Sequence, residues 1–253
     1  MSTSKIALVT GANRGIGYSI AKHLTAAGIS VIGTWHANEG EAKAAEAVLS
    51  QEDAKLHMLQ LDIANHASFT DFAGQVKALL ANEFGQRELN YVGQNAGNII
   101  HTRFDAATSE QLDNQYNIHL KGPYLLTVAL LPLIRDGGRI LNITSAATRF
   151  YLPDHGPYAA MKAATEVISL YMAKELGERG ITGNAVAPGA VAADFGGGLV
   201  RDDAGINRSL AGITPLGRVG QPDDIGAAVR ALLSDDMRWV NGQRIEVTGG
   251  QSL

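Results

Sequence analysis

The chain has 253 residues, 45% of them hydrophobic and 18% charged, a balance that predicts one α/β domain with a substantial core. Its net charge of −4, with no run of lysines or arginines, argues against a nucleic-acid or anionic-membrane surface. The absence of cysteine excludes disulfides, thiolate metal sites and a cysteine nucleophile.

Targeting and membrane signals are not evident in the sequence. Residues 1–5 lead directly into an apolar run, so we expect no signal peptide before it. The longest apolar stretch, 125–134, contains Thr127 and Pro132 and is too short to span a bilayer. The seven histidines are dispersed and predict no metal site. We therefore predict a cytoplasmic protein without a membrane, nucleic-acid or metal partner.

The first predicted elements are a strand over 6–9, a glycine-rich turn and a helix that stops at Gly28. The turn reads Thr10-Gly11-Ala12-Asn13-Arg14-Gly15-Ile16-Gly17. Glycines allow the backbone to approach a ligand closely, and the amino end of a helix offers free N–H groups and a positive dipole end. We therefore predict a phosphate-binding turn. The alternative is an ordinary connection between a strand and a helix.

The second strand, predicted over 30–34, indicates which nicotinamide dinucleotide, NADH or NADPH, the phosphate-binding turn would hold. It ends without the acidic residue that binds the adenosine ribose hydroxyls in NAD sites, and the first acid, Glu39, lies past its end. Arg14 inside the glycine turn has a planar fork suited to two phosphate oxygens, and Thr34 and His36 offer further donors. We predict NADPH in preference to NADH. The alternative is that Arg14 forms a surface ion pair and either cofactor is accepted.

The rest of the chain continues the alternation of strands and helices. Further strands are predicted over 55–61, 90–94, 139–144, 182–187 and 244–248, and helices over 39–50, 67–81, 109–134, 158–178 and 222–233. This alternation predicts a single-domain, Rossmann-type, doubly wound parallel sheet of about seven strands with helices on both faces. The glycine-rich segment 190–217 interrupts the pattern and is predicted to be a substrate lid, the alternative being a surface excursion.

A tyrosine and a lysine four residues apart occur in Tyr158-Ala159-Ala160-Met161-Lys162. Residues at this spacing share a helix face, so the Lys162 ammonium can lie beside the Tyr158 phenol. We expect this charge to lower the pKa of Tyr158 from its usual value of about 10. Ser145, thirteen residues before Tyr158, adds a hydrogen-bond donor. The three together favour acid–base catalysis at an oxygen, whereas each alone is typical of a helix face or a turn.

With these motifs placed, the chain from residue 5 onward resembles the short-chain dehydrogenase/reductase family, and within it the ketoreductases and 3-oxoacyl-[acyl-carrier-protein] reductases. The glycine turn is similar to the family's cofactor turn, and Gln94-Asn95-Ala96-Gly97 to its Asn-Asn-Ala-Gly motif. Pro188-Gly189 resembles the turn against the nicotinamide, and 242–250 resembles the closing strand. The resemblance implies hydride transfer between NADPH and a carbonyl carbon, with Tyr158 as the proton donor.

The resemblance also implies which residues form the site. Ser145, Tyr158 and Lys162 match the family's catalytic serine, tyrosine and lysine. The implied cofactor contacts come from the glycine turn and the carboxyl ends of the strands, namely Gly11, Asn13, Arg14, Gly15, Ile16, Gly17, Thr34, Trp35, His36, Asp62, Ile63, Asn95, Ala96, Gly97, Tyr158, Lys162, Pro188, Gly189 and Val191.

Two positions depart from the family pattern. His119 stands where the family commonly has an asparagine whose main-chain carbonyl holds a proton-relay water. Any residue keeps that carbonyl, so we favour a structural or relay role for His119 over direct acid catalysis; alternatively, the imidazole titrates and shapes the pH profile. Ala193 stands where many relatives have a threonine that bonds the nicotinamide carboxamide, so one hydrogen bond, worth about 1 kcal/mol, is lost.

Substrate identity is less firmly encoded. Apolar and aromatic residues expected near the nicotinamide, with one histidine among them, favour a hydrophobic or aromatic carbonyl compound; they are Phe150, Tyr151, Leu152, His155 and Phe195. The alternatives are a 3-oxoacyl-[acyl-carrier-protein] reductase, an alcohol or sugar dehydrogenase and a dinucleotide-sensing regulator. The intact serine, tyrosine and lysine argue against a sensor. The family resemblance further implies a homotetramer assembled through the helices over 109–134 and 158–178.

Overall fold

A computed structural model describes residues 5–253 of the chain. Residues 1–4 lie outside the described part. The expectation that no signal peptide precedes the first strand concerns those residues, so it stays a prediction. None of the helices within 5–253 is both long and apolar enough to cross a membrane.

Seven parallel strands form one sheet in the order β3-β2-β1-β4-β5-β6-β7. They are β1 (Ile6–Val9), β2 (Ser30–Trp35), β3 (Leu56–Gln60), β4 (Leu89–Gln94), β5 (Ile134–Ile143), β6 (Thr182–Pro188) and β7 (Arg244–Val247). The strand order reverses between β1 and β4, and ligands of such sheets bind at the carboxyl ends beside this reversal. The predicted doubly wound fold is confirmed.

Helices cover both faces of the sheet. They are α1 (Gly15–Thr25), α2 (Glu39–Leu49), α3 (Phe69–Phe84), α4 (Ser109–Tyr116), α5 (Gly122–Leu130), α6 (Gly156–Glu175), α7 (Leu199–Asp202), α8 (Ala204–Gly212) and α9 (Pro222–Leu232).

The two hydrophobic cores follow from the alternation of side chains along a strand. In β1, Ala7 and Val9 belong to the core that includes residues of α1 and α9, whereas Ile6 and Leu8 belong to the core that includes residues of α3 and α5. All four side chains are at most 1% exposed. A strand buried on both faces reads as a continuous apolar run, which is why the sequence predicts β1 well.

The predicted helix over 109–134 is wrong in its length. It is interrupted by a π-helical turn, Asn117–Lys121, between α4 and α5, and β5 already begins at Ile134. Gly122 follows the turn at a crowded point, since a Cβ there would lie 2.4 Å from the carbonyl oxygen of Ile63. Pro123, at the start of α5, has no N–H to continue the regular hydrogen bonding. A π-helical turn accommodates one extra residue per turn and often marks a functional site.

The segment 190–217 is more ordered than a glycine-rich loop. It contains α7 and α8, and Asp203 caps α8 by accepting hydrogen bonds from the amides of Gly205 and Ile206. Before α7, the consecutive residues Gly196, Gly197 and Gly198 have φ values of 64°, 76° and 79°. This left-handed conformation is readily adopted only by glycine. The glycines therefore form the bend that leads into the helical part of the segment.

Candidate active site

The glycine turn connects β1 to α1 at the strand-order reversal. Gly11 and Gly15 both have positive φ values, and a Cβ at Gly17 would lie 2.0 Å from the carbonyl oxygen of Gly11. No side chain among residues 5–253 caps α1, and its first turn holds no acidic residue. The amide groups and positive dipole end of α1 therefore remain open to an anion. These residues fit the diphosphate of a nicotinamide dinucleotide.

Asn95 ties the glycine turn to the end of β4. Its side-chain amide donates hydrogen bonds to the carbonyl oxygens of Thr10, at 2.9 Å, and Gly11, at 3.2 Å. In return, the Thr10 hydroxyl accepts hydrogen bonds from the amides of Asn95 and Ala96, both at 2.9 Å. These four hydrogen bonds hold the glycine turn to the end of β4.

The adenosine end of the cleft contains a carboxylate that sequence reasoning missed. Glu41, from α2, accepts a 2.8 Å hydrogen bond from Asn13 of the glycine turn and lines the cleft. The Thr34 hydroxyl accepts a hydrogen bond from the Gly11 amide at 3.0 Å, so it supports the turn. Arg14 is exposed and forms no ion pair with any residue within 5–253. The interpretation of Arg14 as a surface ion-pair partner therefore lacks support.

Ser145 and Tyr158 meet where β5 ends and α6 begins. The Ser145 Oγ accepts a hydrogen bond from the Ala147 amide at 3.2 Å, which leaves its own proton free to donate. Tyr158 is only 6% exposed, and burial raises its pKa to about 12, while the Ser145 side chain acts in the opposite direction. The expectation that Lys162 lowers the pKa of Tyr158 is thus not met, because desolvation of the phenolate dominates.

Lys162 lies beneath the Tyr158 ring, with its Nζ 5.7 Å from the ring centroid. Burial lowers the pKa of Lys162 to about 8, while the nearby Glu166 carboxylate acts in the opposite direction. Its ammonium donates a hydrogen bond to a main-chain carbonyl at the end of β5. The predicted cation beside the tyrosine is therefore present. With a pKa of about 8, Lys162 is charged at neutral pH and loses its charge just above it.

His119 lies in the π-helical turn and packs edge-on against Tyr158, with ring centroids 5.1 Å apart. Burial, together with the charge of Lys162, holds the pKa of His119 well below its usual value, so the imidazole is neutral near pH 7. Its Nε2 lies 2.7 Å from the carbonyl oxygen of Asn98, which makes Nε2 the protonated nitrogen. The main-chain carbonyl of His119 accepts a hydrogen bond from Thr165. The lowered pKa argues against the interpretation of His119 as a group that titrates near neutrality, because the charged form is desolvated.

The loop after β6 closes the nicotinamide end of the cleft. A Cβ at Gly189 would lie 2.6 Å from Oε1 of Gln251, so a larger residue there would displace the Gln251 side chain. That oxygen accepts a 2.7 Å hydrogen bond from the Ala190 amide, and Gln251 itself lines the cleft although sequence reasoning missed it. Val191 pairs with Gly220 in an isolated bridge, and Ala193 is buried without a hydroxyl. The carboxyl end of the chain is therefore part of the site.

One cleft of about 1160 Å³ joins these parts. Every predicted site residue lines it except Gly17, which is buried under the turn, and His119, which is buried against Tyr158. Its volume exceeds that of most pockets for a single small molecule, so it has room for a dinucleotide and a substrate. Among residues 5–253 no three histidine, aspartate or glutamate side chains are grouped to hold a metal ion.

Aromatic and apolar side chains line the cleft around Tyr158. The Phe195 ring is tilted against Tyr158 with centroids 5.7 Å apart, and His155 lies 6.3 Å from Tyr158. His101 packs edge-on against His155 at 4.8 Å. Phe150, Leu152 and Leu199 line the same cleft, whereas Tyr151 is 85% exposed and does not. The inclusion of Tyr151 among the substrate-facing residues is therefore wrong.

The comparisons with known proteins agree with this geometry. The family model described as enoyl-(acyl carrier protein) reductase matches residues 11–252. The chain belongs to the short-chain dehydrogenase/reductase family. Within this family, an uncharacterized oxidoreductase of Methylorubrum extorquens is 34% identical, with 97% of each chain covered. The tetrahydroxynaphthalene reductase PfmaG of Pestalotiopsis fici is 33% identical, over 97% of this chain and 91% of its own.

Solved structures of family members superpose over nearly the whole chain. The reductase LugOII, which catalyses keto-reduction at C1 during lugdunomycin biosynthesis, has a TM-score of 0.92 at 33% identity, covering 98% of this chain and 97% of its own. The angucycline C-6 ketoreductase LanV with bound NADP has a TM-score of 0.92 at 30% identity, covering 99% and 96%. Its complex with NADP and rabelomycin has a TM-score of 0.89. This short-chain dehydrogenase/reductase is thus an NAD(P)-dependent oxidoreductase.

Proposed function

We propose that this protein is an NADPH-dependent ketoreductase that reduces a carbonyl group of a hydrophobic, polycyclic aromatic compound. The observation that carries this proposal is the buried, protonated Tyr158 phenol, which lines the same cleft as several aromatic side chains and the glycine turn. When bound, the nicotinamide cofactor supplies a hydride to the carbonyl carbon.

In this mechanism the side chains handle the oxygen and the proton. Ser145 donates a hydrogen bond to the carbonyl oxygen and stabilises the negative charge that develops there. Tyr158 gives its phenolic proton to that oxygen, so that the carbonyl and the hydride yield the alcohol and oxidised cofactor. Lys162 stabilises the phenolate left behind until solvent restores the proton. A tyrosine with a raised pKa remains protonated at neutral pH, which favours reduction over alcohol oxidation.

The substrate class is supported by the wall of the cleft and by the relatives. Phe150 and Phe195 offer flat aromatic surface and Leu152 adds an apolar side chain, and the relative PfmaG is named for an aromatic compound, tetrahydroxynaphthalene. Segment 190–217 is proposed to act as the lid of a single-domain enzyme, since Phe195 and Leu199 bring it against the cleft. A carrier-protein substrate is disfavoured, because Arg103 and Arg201 near this end are neutralised by ion pairs with aspartates.

Preference for NADPH is proposed on the exposed Arg14 guanidinium at the adenosine end, which pairs with no carboxylate within residues 5–253. Glu41 opposes it, because its carboxylate lies at the same end and repels a 2′-phosphate. The bond from Asn13 holds Glu41 to the turn, which leaves Arg14 free to bind the phosphate.

A homotetramer is proposed from apolar side chains on the outer faces of two helices. Tyr124 and Val128 on α5, and Val167, Leu170 and Tyr171 on α6, are between 48% and 63% exposed. They recur at spacings of three and four residues, so each set forms one stripe. Analytical ultracentrifugation of the wild type and of Leu170→Glu tests this assembly. A wild type that sediments as a monomer would contradict it.

The test of the activity is the consumption of NADPH, and separately of NADH, with a panel of polycyclic aromatic ketones and a 3-oxoacyl thioester. Tyr158→Phe serves as the control for turnover at this site. We expect Tyr158-dependent oxidation of NADPH with the aromatic ketones. Turnover of the thioester alone would instead support the carrier-protein reductase, and tight cofactor binding without any turnover would support a sensor.

A further inference from the structure

A network of charged side chains lies behind the candidate catalytic residues, on the side away from the cofactor cleft. Arg244, at the start of β7, forms an ion pair with Glu166 of α6, in which its Nε lies 2.8 Å from Oε1. Both side chains are mostly buried, with exposures of 25% and 16%. The two residues are 78 positions apart in the chain, so no local pattern predicts the pair.

The same arginine reaches the turn that carries Ser145. Its Nη2 donates a 2.9 Å hydrogen bond to the Thr148 hydroxyl and lies 3.4 Å from the main-chain carbonyl oxygen of Ser145. The Thr148 hydroxyl lies 2.9 Å from both that carbonyl and the Glu166 carboxylate, and it donates its single proton to one of them. Arg244, Thr148 and Glu166 thus form a closed triangle directly behind Ser145.

Glu166 also faces Lys162, because the two residues are one helical turn apart on α6. The other titratable groups that face the Lys162 ammonium are Tyr158 on the same helix and His119 from the π-helical turn. His119 and Tyr158 are both neutral near pH 7. Glu166 is therefore the negative charge that supports the protonated form of Lys162, and Arg244 partly neutralises it.

We propose that Arg244 and Glu166 are positioning residues for the reaction, with Arg244 holding the main chain of Ser145 and the pair together setting the charge of Lys162. Neither residue lines the cleft or touches the reacting atoms. The inference rests on the proposed ketoreductase function for its kinetic consequences, but its electrostatic consequence holds for the protein alone.

Arg149 offers a matched control. It donates a hydrogen bond of 2.9 Å to Glu246, the same carboxylate that Arg244 binds through Nη1, but its side chain forms no hydrogen bond or ion pair with Glu166 or Ser145. Its side chain is 54% exposed. Arg149→Met therefore removes an arginine from the same cluster without disturbing the triangle.

The experiment compares Arg244→Met, Glu166→Gln and Arg149→Met with the wild type by steady-state kinetics with an aromatic ketone. For Arg244→Met we expect kcat to fall by about tenfold or more while KM for NADPH changes by less than about twofold, since transition-state positioning is lost and cofactor binding is not. For Arg149→Met both constants should stay within about twofold of the wild type.

The second measurement is the titration of Lys162 itself, by nuclear magnetic resonance of protein with isotopically labelled lysine. The signal is assigned with Lys162→Arg. The midpoint should move to lower pH in Glu166→Gln, which removes the negative charge, and to higher pH in Arg244→Met, which leaves that charge uncompensated. A merely structural role would not move the two variants in opposite directions.

The proposal is overturned if Arg244→Met matches Arg149→Met in kcat, or if the Lys162 midpoint is the same in all variants. Should Arg244→Met fail to fold by circular dichroism, Arg244→Lys keeps the cation without the forked contacts and is tested in the same way, expecting a lower kcat with a near-normal midpoint. If the wild type reduces no ketone, the proposed function fails, and the Lys162 titration still decides the electrostatic role of the pair.

Discussion

The ammonium of Lys162 donates a hydrogen bond of 2.7 Å to the main-chain carbonyl of Ile143, the last residue of β5. This contact joins α6 to the carboxyl edge of the sheet, where Tyr158 also lies. The bond satisfies one of the three donors of a buried ammonium and leaves the others for its surroundings. The candidate catalytic cation is thus held by the sheet, and it forms no salt bridge with another residue of the described range 5–253.

The activity should fall as the pH rises through about 8. The pKa of Lys162 is lowered to about 8 in the folded chain, so its positive charge is present below that pH and lost above it. Tyr158, with a pKa of about 12, stays protonated over this pH range and cannot cause the fall in activity.

Lys162 also makes the stability depend on pH. Between about pH 8 and 10.5 the Lys162 side chain is protonated in the unfolded chain but not in the folded chain, so it makes the free energy of unfolding rise with pH. A pH profile of kcat/KM checks the fall in activity, and denaturant titrations at several pH values check the rise in the free energy of unfolding. A kcat/KM profile that is flat from pH 7 to 10 would contradict the role of Lys162.

Tyr158→Phe should reduce turnover by roughly 10²–10⁴-fold, because the ring stays in place while the proton donor is lost. NADPH binding, followed by fluorescence titration, should remain within about twofold, since the phenol adds at most one hydrogen bond to it. Retention of near-normal turnover in this variant would mean that another group supplies the proton.

Arg14→Ala should weaken binding of NADPH by about tenfold or more and leave NADH nearly unchanged, because only NADPH carries the 2′-phosphate. Glu41→Gln is the matched variant at the same end of the cleft, and it should strengthen binding of NADPH because a repelling carboxylate is removed. Equal losses for both cofactors in Arg14→Ala would refute the phosphate contact.

His119→Asn should keep most of the activity and an unchanged pH profile, because His119 is neutral and its main-chain carbonyl survives the substitution. The free energy of unfolding should fall by about 1 kcal/mol, because the hydrogen bond to the Asn98 carbonyl and the packing against Tyr158 are weakened. Melting temperatures and kcat measured side by side separate the two effects. A collapse of kcat with unchanged stability would show that the imidazole takes part in the reaction.

Gly17→Ala should abolish dinucleotide binding, because its Cβ would lie 2.0 Å from the carbonyl oxygen of Gly11 and force the turn apart. Gly74 is a useful control, since a Cβ there meets nothing within 4 Å and the residue lies inside α3. Gly74→Ala should bind the cofactor normally and gain up to about 1 kcal/mol of stability from helix propensity. Isothermal titration with NADPH checks the pair, and normal binding by Gly17→Ala would show that the turn is not the phosphate site.

The strands and the glycine turn could be predicted closely because their signals are local. The predicted bounds of β1 match the structure. Those of β3 differ by one residue at both ends, and those of the other strands except β5 differ by one residue at one end. The start of β5 was missed because Arg135, Asp136 and Gly137 are polar or flexible, and only the pairing of Ile134 with Leu89 extends the strand that far. The π-helical turn was missed because Asn117–Lys121 keeps a helical pattern of side chains.

The sequence predicted which residues form the candidate site, but it did not predict how the pKa values of those residues are shifted. Ser145, Tyr158 and Lys162 follow from spacing and resemblance, and the structure brings them into the same cleft. The direction of the Tyr158 pKa was predicted wrongly, because the spacing to Lys162 is visible in the sequence whereas the desolvation of the phenol is not. Glu41 and Gln251 gave no signal, since each reaches the cleft from an element distant in the chain.

By itself, the sequence determined the doubly wound sheet, the glycine turn before α1 and the order of the candidate catalytic residues, since these depend on periodicity and on spacings of a few residues. Only the tertiary structure decided which groups are charged and what holds them. Arg244 meets Glu166 across 78 residues, and Lys162 loses solvent only when α6 packs on β5. Burial and long-range ion pairing arise from the assembled sheet and helices, and the energies that set a pKa are properties of that assembly.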